Sequence, residues 1–368
     1  MTTATVSARR TQAPLQTPPA LAGYTIDHRR AREFRDSGKL LTMRLETSRI
    51  CDLRCIYCNN AAGVPLPNEI SFPVIQGAIR EARALGAESV VIIGGGEPML
   101  YPHIKELVRY ISALRLIPVL ITNGSQLTDD LCAFLCDHDA SILLKCDSLN
   151  RETQDLLAGK AGAHAEIMRA LGRLMRGNFA SGAPGSLRIG LSFVVTRINY
   201  DDILPVWQFC RDHALFPNFE EFIPRGRGAT NYQDLFLDNR RVLALKEKLL
   251  ELDRTKYGYD WLVHTPLPGH GCLQTMCSIH ITSFGRVQPC PDIDVSSANI
   301  RDSSIEEIIS SPFFRLSRNL EKHLRGKCGS CEHGLICIGC RGNAFSVGLA
   351  QGMSPEDALC SPDPLCLK

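Results

Sequence analysis

The stretch ETSRICDLRCIYCNN, residues 46–60, carries Cys51, Cys55 and Cys58 in a CxxxCxxC pattern. It follows LLTMRLE (40–46), which reads as a strand running directly into the cysteine loop. Three thiols so close together suit a soft metal or an iron–sulfur cluster better than a disulfide framework. Three ligands from one loop leave one iron of a four-iron cluster without a protein ligand, which is useful if a substrate or cosubstrate must bind iron. The bland alternatives are a zinc site lacking its fourth ligand and three incidental buried cysteines.

Outward from this loop, strand-like and helix-like segments alternate. Ser71 stands where it can cap a helix whose apolar residues Val74, Ile75, Ala78, Ile79, Ala82 and Leu85 recur at helical spacing, with Gly86 ending it. SVVIIG (89–94) is apolar throughout, as expected of a strand buried on both faces. HIKELVRYISAL returns to helical spacing. PVLITNG (118–124), SILLKCD (141–147), SLRIGLSFVVT (186–196) and NFEEFIP (218–224) continue the strand series. Repeated βα units imply a parallel sheet, here a partial (β/α)6 TIM-like barrel over residues 40–265. The region 266–368 is short-segmented and rich in Gly and Cys, and reads as a smaller domain organised by metal.

Composition narrows the function classes. At 368 residues and 44% hydrophobic content, the chain can bury a large core and form more than one domain. A formal charge of +2 gives no pull toward nucleic acid or anionic membrane, so neither is expected as a partner. No apolar run approaches the roughly 18 residues of a membrane span. Residues 1–22, rich in Pro, Thr and Ala, read as a disordered arm without a signal-peptide core, and the expected location is cytoplasmic. Sixteen cysteines in such a location argue for metal or cluster ligation over disulfides.

The CxxxCxxC pattern, with Tyr57 before its last cysteine, resembles the signature of radical S-adenosylmethionine (SAM) enzymes. The resemblance implies that Cys51, Cys55 and Cys58 hold a four-iron cluster whose fourth iron SAM chelates. It also implies SAM cleavage to a 5′-deoxyadenosyl radical, fed by an external electron donor such as flavodoxin or ferredoxin. Tyr57 would flank the adenine. GGGEP (94–98) stands where that family has its GGE motif, making Gly95, Gly96, Glu97 and Pro98 candidates for SAM binding. Glycines permit close backbone approach, and a carboxylate can accept from an ammonium group. Asn123 in TNG, and Asp147 and Ser148 in DSLN, lie at strand ends where the family contacts SAM or substrate; turn and cap chemistry is the alternative there.

The later cysteines resemble the SPASM extension of that family, which carries two auxiliary four-iron clusters and brings the expected total to three. Cys272 is followed by Gly285 and Cys290, then by the CxxCx5CxxC run Cys328, Cys331, Cys337 and Cys340, then by Cys360 and Cys366. The resemblance assigns Cys272, Cys277, Cys290 and Cys340 to the first auxiliary cluster. Cys328, Cys331, Cys337 and a terminal cysteine would hold the second. Cys366, in its DPLC context, is the choice for that last ligand, although Cys360 fits the usual spacing slightly better. The run ends in CxxC where the family has Cx3C, and a zinc ribbon on the two CxxC pairs is the competing reading.

Cys132, Cys136 and Cys210 read as packing residues. Cys146 ends a strand near the expected site, so its thiol is a candidate hydrogen donor to a substrate radical, as is Cys360. Asp292, two residues after Cys290, is a candidate base for an oxidation. Only about forty residues precede the barrel, fewer than a leader-binding domain with its own core requires. The favoured expectation is therefore dehydrogenation or other oxidation of a small sugar- or cyclitol-like molecule. The alternatives are cross-linking of a ribosomally synthesised peptide presented by a separate protein, and epimerisation with a cysteine hydrogen donor.

Overall fold

Among the described residues, the strands β1 (Ala20–Leu21), β2 (Thr42–Leu45), β3 (Ser89–Ile92), β4 (Ile117–Thr122), β5 (Ser141–Lys145), β6 (Ser186–Leu187), β7 (Ile189–Val195), β8 (Phe216–Glu221), β9 (Ser278–Ile281) and β10 (Val287–Gln288) organise the fold. The computed structural model describes residues 15–177, 179, 186–263, 266–268, 272–295, 298–334 and 336–366. One sheet runs in the order β10-β9-β2-β3-β4-β5-β7-β8, parallel throughout except for the antiparallel β10 edge. The expected six strands correspond to β2, β3, β4, β5, β7 and β8, and the sheet is open rather than closed into a barrel.

The central strands β2, β3, β4, β5 and β7 bury both faces, and their alternation decides which side chain meets which layer. Met43, Leu45, Val90, Ile92, Leu120, Ile142 and Leu144 pack outward in the largest apolar cluster, with the covering helices. Val91, Val119, Ile121, Leu143 and Phe216 face inward into a second cluster. The helix Phe72–Ala84 shows the logic on the outer layer. Its Ile75, Ala78, Ile79 and Ala82 are buried, Pro73 occupies its first turn, and Gly86 follows it at φ +101°. Ser71 takes the N-cap position, yet its side chain makes no capping hydrogen bond.

Two features depart from the sequence reading. Residues 1–14 of the expected disordered arm lie outside the described residues, but residues 15–22 are built into the fold. Gln16 bridges Tyr259, β1 pairs with β6, and Leu21 packs with Tyr24 among the inward-facing residues. An open sheet would expose that apolar lower lumen, and these side chains fill it. Second, β9 extends the main sheet by pairing with β2, so residues 278–281 continue that sheet. SIHI is only four residues long and too short to announce its period amid the cysteines. No helix among the described residues is long and apolar enough to cross a membrane.

Candidate active site

The ends of β2, β3, β4, β5, β7 and β8 converge on a cavity of about 230 Å³ lined by Cys51, Cys55, Cys58, Tyr57, Gly94 to Glu97, Asn123, Lys145 and Asp147. Its position at the C-terminal edge of parallel strands is the usual one for ligands in such sheets. The cysteine loop arrives there already fixed by its neighbours. Arg54 and Ile56 donate their N–H groups to Ala158 and Leu157 carbonyls at 3.1 and 3.0 Å. Arg227 donates from its backbone to the Cys58 carbonyl at 2.9 Å, and from Nε to the Cys55 carbonyl at 2.9 Å.

Glycines 95 and 96 are required by this loop. A Cβ on Gly96 would lie 1.9 Å from the Ile50 carbonyl oxygen, and one on Gly95 would lie 2.5 Å from that of Ser48. The Glu97 N–H then donates to Ile50 O at 2.7 Å. The sequence reading expected those glycines to admit SAM; both line the cavity, and their backbone also approaches the cysteine loop. Gly94 alone has an open Cβ direction, with Asn60 Nδ2 3.9 Å away. Pro98 is buried at the start of a short 3-10 turn and does not line the cavity.

Glu97 is fully buried and held by three donors. Oε1 accepts from the Met99 N–H at 2.9 Å and the Thr122 hydroxyl at 2.6 Å, and Oε2 accepts from the Asn123 N–H at 2.7 Å. Burial pushes its carboxyl up to about 7 against the pull of these donors. A cationic partner would favour its charged form. Asn123 also donates from Nδ2 to Asp52 Oδ1 at 2.8 Å, which ties the β4 end to the cysteine loop.

Strand alternation sorts the residues after β5. Lys145 and Asp147 face the cavity, whereas Cys146 points into the outer core, fully buried, its thiol directed at the Ser148 carbonyl at 3.6 Å. Burial pushes that thiol to about 12. Asp147 accepts from the Tyr57 hydroxyl at 2.6 Å and the Val194 N–H at 2.8 Å. Ser148 turns away, donating to Asp202 Oδ2 at 2.6 Å, so it is not brought to the cavity as a ribose contact. Cys146 is likewise not brought there as a hydrogen donor, because period-two alternation places it opposite its neighbours.

A second cavity, about 190 Å³, is lined by Cys272, Cys290, Cys340, Asp292, Arg44 and Arg341. It shares Asn59, Ile93, Glu220, Glu221, Ile223 and Pro291 with the first. Asp292 lies 3.5 Å from Arg225 Nη1, and burial raises its pKa above the usual carboxylate range. Cys277 is absent from this wall. It packs with Ile26, Ala31, Leu41, Leu273 and Met276, its thiol 3.7 Å from the Leu273 carbonyl, because the short helix Gln274–Cys277 turns it toward that apolar cluster.

A third cavity, about 110 Å³, is lined by Cys328, Cys331, Cys337 and Cys366. Cys366 is therefore brought to the set chosen for it. Cys360 is buried among Ile293, Leu320, Ile338 and Phe345 and reaches none of the three cavities, either as a ligand or as a hydrogen donor.

The donor sets fit iron–sulfur clusters. Each of the three cavities gathers three or four cysteines, and among the described residues no three His, Cys, Asp or Glu side chains converge as a single ion requires. Ligands to one zinc crowd around a point, whereas those of a cubane spread over its corners. Burial pushes the Cys51 and Cys55 thiols to about 11 and 12, so metal binding must displace their protons.

Comparison with known proteins decides the family. The radical SAM superfamily model matches residues 45–204, and the iron–sulfur cluster-binding SPASM model matches residues 272–332. The chain is a radical SAM enzyme with a SPASM domain. Its cofactors are SAM and four-iron clusters. AdoMet-dependent heme synthase of Methanosarcina barkeri is 27% identical over 80% of this chain and 89% of its own length. Mycofactocin maturase MftC of Mycobacterium ulcerans is 29% identical over 88% and 86%. PqqA peptide cyclase of Gluconobacter oxydans is 29% identical over 88% and 91%. The crystal structure of Streptococcus suis SuiB bound to S-adenosylmethionine shares the fold, with TM-score 0.68 at 19% identity over 90% of this chain and 78% of that one.

Sequence reasoning missed several residues of the site. Glu46, Lys145, Gln154, Glu220, Glu221 and His280 all line the first cavity. Glu46 accepts from the Ser283 N–H at 3.1 Å and lies 3.4 Å from His280 Nε2. Gln154 Oε1 accepts the N–H groups of Asp147 and Ser148 at 2.8 and 3.1 Å. The inward phase of β2 and β5 would have found Glu46 and Lys145. His280 lies on β9, which the sequence did not announce.

Proposed function

We propose that the chain is a maturase that forms a cross-link in a ribosomally synthesised peptide. The observation that carries this is the shared wall of the first two cavities, where Asn59, Glu220, Glu221, Ile223 and Pro291 line both and so join two cysteine sets. The maturase and peptide cyclase relatives support a peptide over the small sugar-like molecule that the sequence put first. Cys51, Cys55 and Cys58 would hold the SAM-binding cluster; Cys272, Cys290 and Cys340 the first auxiliary centre; Cys328, Cys331, Cys337 and Cys366 the second.

When bound, these groups supply reductive cleavage of SAM, hydrogen-atom abstraction and an electron acceptor. The chain's own residues bind and orient. Glu97 offers its remaining acceptor capacity to SAM's ammonium group. Tyr57 is held by its hydrogen bond to Asp147, so its ring is fixed on the cavity wall. Asp292, with its carboxyl in the second cavity and Oδ1 without a hydrogen bond, takes the proton that leaves the substrate.

The test is anaerobic incubation in deuterium oxide of the reconstituted chain with SAM, reductant and any short peptide encoded beside its gene, followed by tandem mass spectrometry. The expected product lacks two hydrogens and fragments as an internally bonded peptide. A peptide of unchanged skeleton with one solvent deuterium at an inverted carbon would instead identify an epimerase. The heme synthase relative gives a second reading, a haem precursor as substrate. Conversion of a haem precursor with the peptide untouched would establish that reading and overturn the first.

A further inference from the structure

Arg341 directly follows Cys340 and is 3% exposed. Its Nη1 donates to the carbonyls of Leu359 and Ser361 at 3.1 and 2.7 Å, and Nη2 donates to Cys328 Sγ at 3.8 Å. Nε is buried without a partner. No ion pair among the described residues joins Arg341 to a carboxylate, and its two carbonyl partners are neutral. A guanidinium so deep in the fold is costly unless an anion compensates it. Two anionic candidates lie beside it: the cysteine set that begins at Cys328, whose Sγ its Nη2 reaches, and the buried Asp363 carboxylate, which crowds Gly339 together with Nη2.

The surroundings point the same way. The Gly339 N–H donates to Cys337 Sγ at 3.4 Å, and the Asp363 N–H donates to Cys328 Sγ at 3.3 Å. Asp363 Oδ2 accepts the Cys340 N–H at 2.7 Å, so the segment 339–341 is fastened between two cysteine sets. Arg341 lines the second cavity while it donates to a sulfur of the third.

We propose that Arg341 is a positioning residue that raises the reduction potential of the iron–sulfur centre on Cys328, Cys331, Cys337 and Cys366. Net charge and hydrogen bonds to sulfur are two of the terms that set such potentials, and both act here in the same sense. A cation and an N–H donor at a ligating sulfur favour the state with the extra electron. The inference rests on the assignment of those four cysteines to one centre.

The experiment is an EPR-monitored redox titration of the anaerobically reconstituted full chain, with iron counted in every sample. A Cys328→Ala, Cys331→Ala, Cys337→Ala, Cys366→Ala variant identifies the centre by its disappearance. Unchanged iron in that variant would sink the cluster assignment itself, separately from the role of Arg341. In Arg341→Gln the midpoint potential of the identified centre is expected to fall, with iron content retained. Arg341→Lys, which keeps the charge, is expected to fall less. As a control, Arg325→Gln, at an exposed ion pair with Asp357, should leave the potential in place. An unmoved potential in iron-replete Arg341→Gln overturns the proposal. If Arg341→Gln loses the centre, Arg341→Lys decides. A retained centre at a lowered potential there supports the proposal, and loss of the centre there too makes Arg341 a structural prop only.

Discussion

The cysteine loop at 51–58 and the cysteine run at 328–366 present the same ligand to the same kind of cofactor, but they are supported differently. The first is clamped by backbone and side-chain hydrogen bonds from 157–158, Arg227 and Asn231, and by the close approach of Gly95 and Gly96. Its scaffold is a sheet buried on both faces. The second rests on the four-residue helix Gly326–Gly329, the helices Arg341–Ala350 and Pro355–Cys360, and a small apolar cluster around Ile293, Leu320, Ile338 and Phe345. Several of its polar contacts end on sulfur itself. One site is preorganised by the fold. The other is organised in large part by what it binds.

The sharpest way to break this contrast is to remove the first ligand set. A Cys51→Ala, Cys55→Ala, Cys58→Ala variant is predicted to lose all reductive SAM cleavage, measured as 5′-deoxyadenosine, while its melting temperature shifts little. A large drop in melting temperature would mean that the loop needs its cluster to fold.

Stripping iron should separate the two regions. After anaerobic chelation, limited proteolysis is predicted to cut within 326–366 while the region 40–265 stays protected. Equal protection of both regions would remove the distinction. This asymmetry was partly legible in the sequence. Cysteine spacing located both ligand regions, while the DPLC context, against a spacing that slightly favoured Cys360, led to Cys366. The resemblance gave no direction for Cys277, which a single helical turn packs into an apolar cluster. The barrel strands were legible because each is a continuous apolar run. Cys146 was misjudged and Lys145 passed over because such a run conceals its own phase; its partners in the sheet reveal which side faces inward. β1 and β9 were missed because two- and four-residue strands are made by their neighbours.

Within the first site, Glu97→Gln replaces an acceptor bound by three donors. SAM affinity is predicted to fall about ten- to a hundredfold, the equivalent of a charge-assisted hydrogen bond of about 1.5–3 kcal/mol, as read by equilibrium dialysis. Since burial lifts this carboxyl to about 7, wild-type affinity should rise with pH through that value, and the variant's should not. A flat wild-type profile would show that Glu97 only staples β3 to β4.

A smaller effect concerns stability in acid. Burial favours neutral Glu46, but the hydrogen bond and charge of His280, the charge of Arg49 and the Ser283 N–H together lower its pKa from 4.5 to about 2. A lowered carboxyl stabilises the fold above its ordinary value and loses that contribution as pH falls through the folded one. Wild type should therefore lose on the order of 3 kcal/mol between pH 4.5 and 2 through this group. Glu46→Gln should flatten that limb in urea unfolding. Parallel acid limbs would assign the acid sensitivity elsewhere.

The most direct test of the whole arrangement is iron and acid-labile sulfide analysis of the reconstituted chain and its variants. The account predicts about twelve irons per wild-type chain, and about eight when either Cys51, Cys55 and Cys58 or Cys328, Cys331, Cys337 and Cys366 are replaced by alanine. Cys360→Ala should retain the full count. About four irons in wild type, lost entirely with the first set, would contradict it, as would a Cys360→Ala chain missing one cluster.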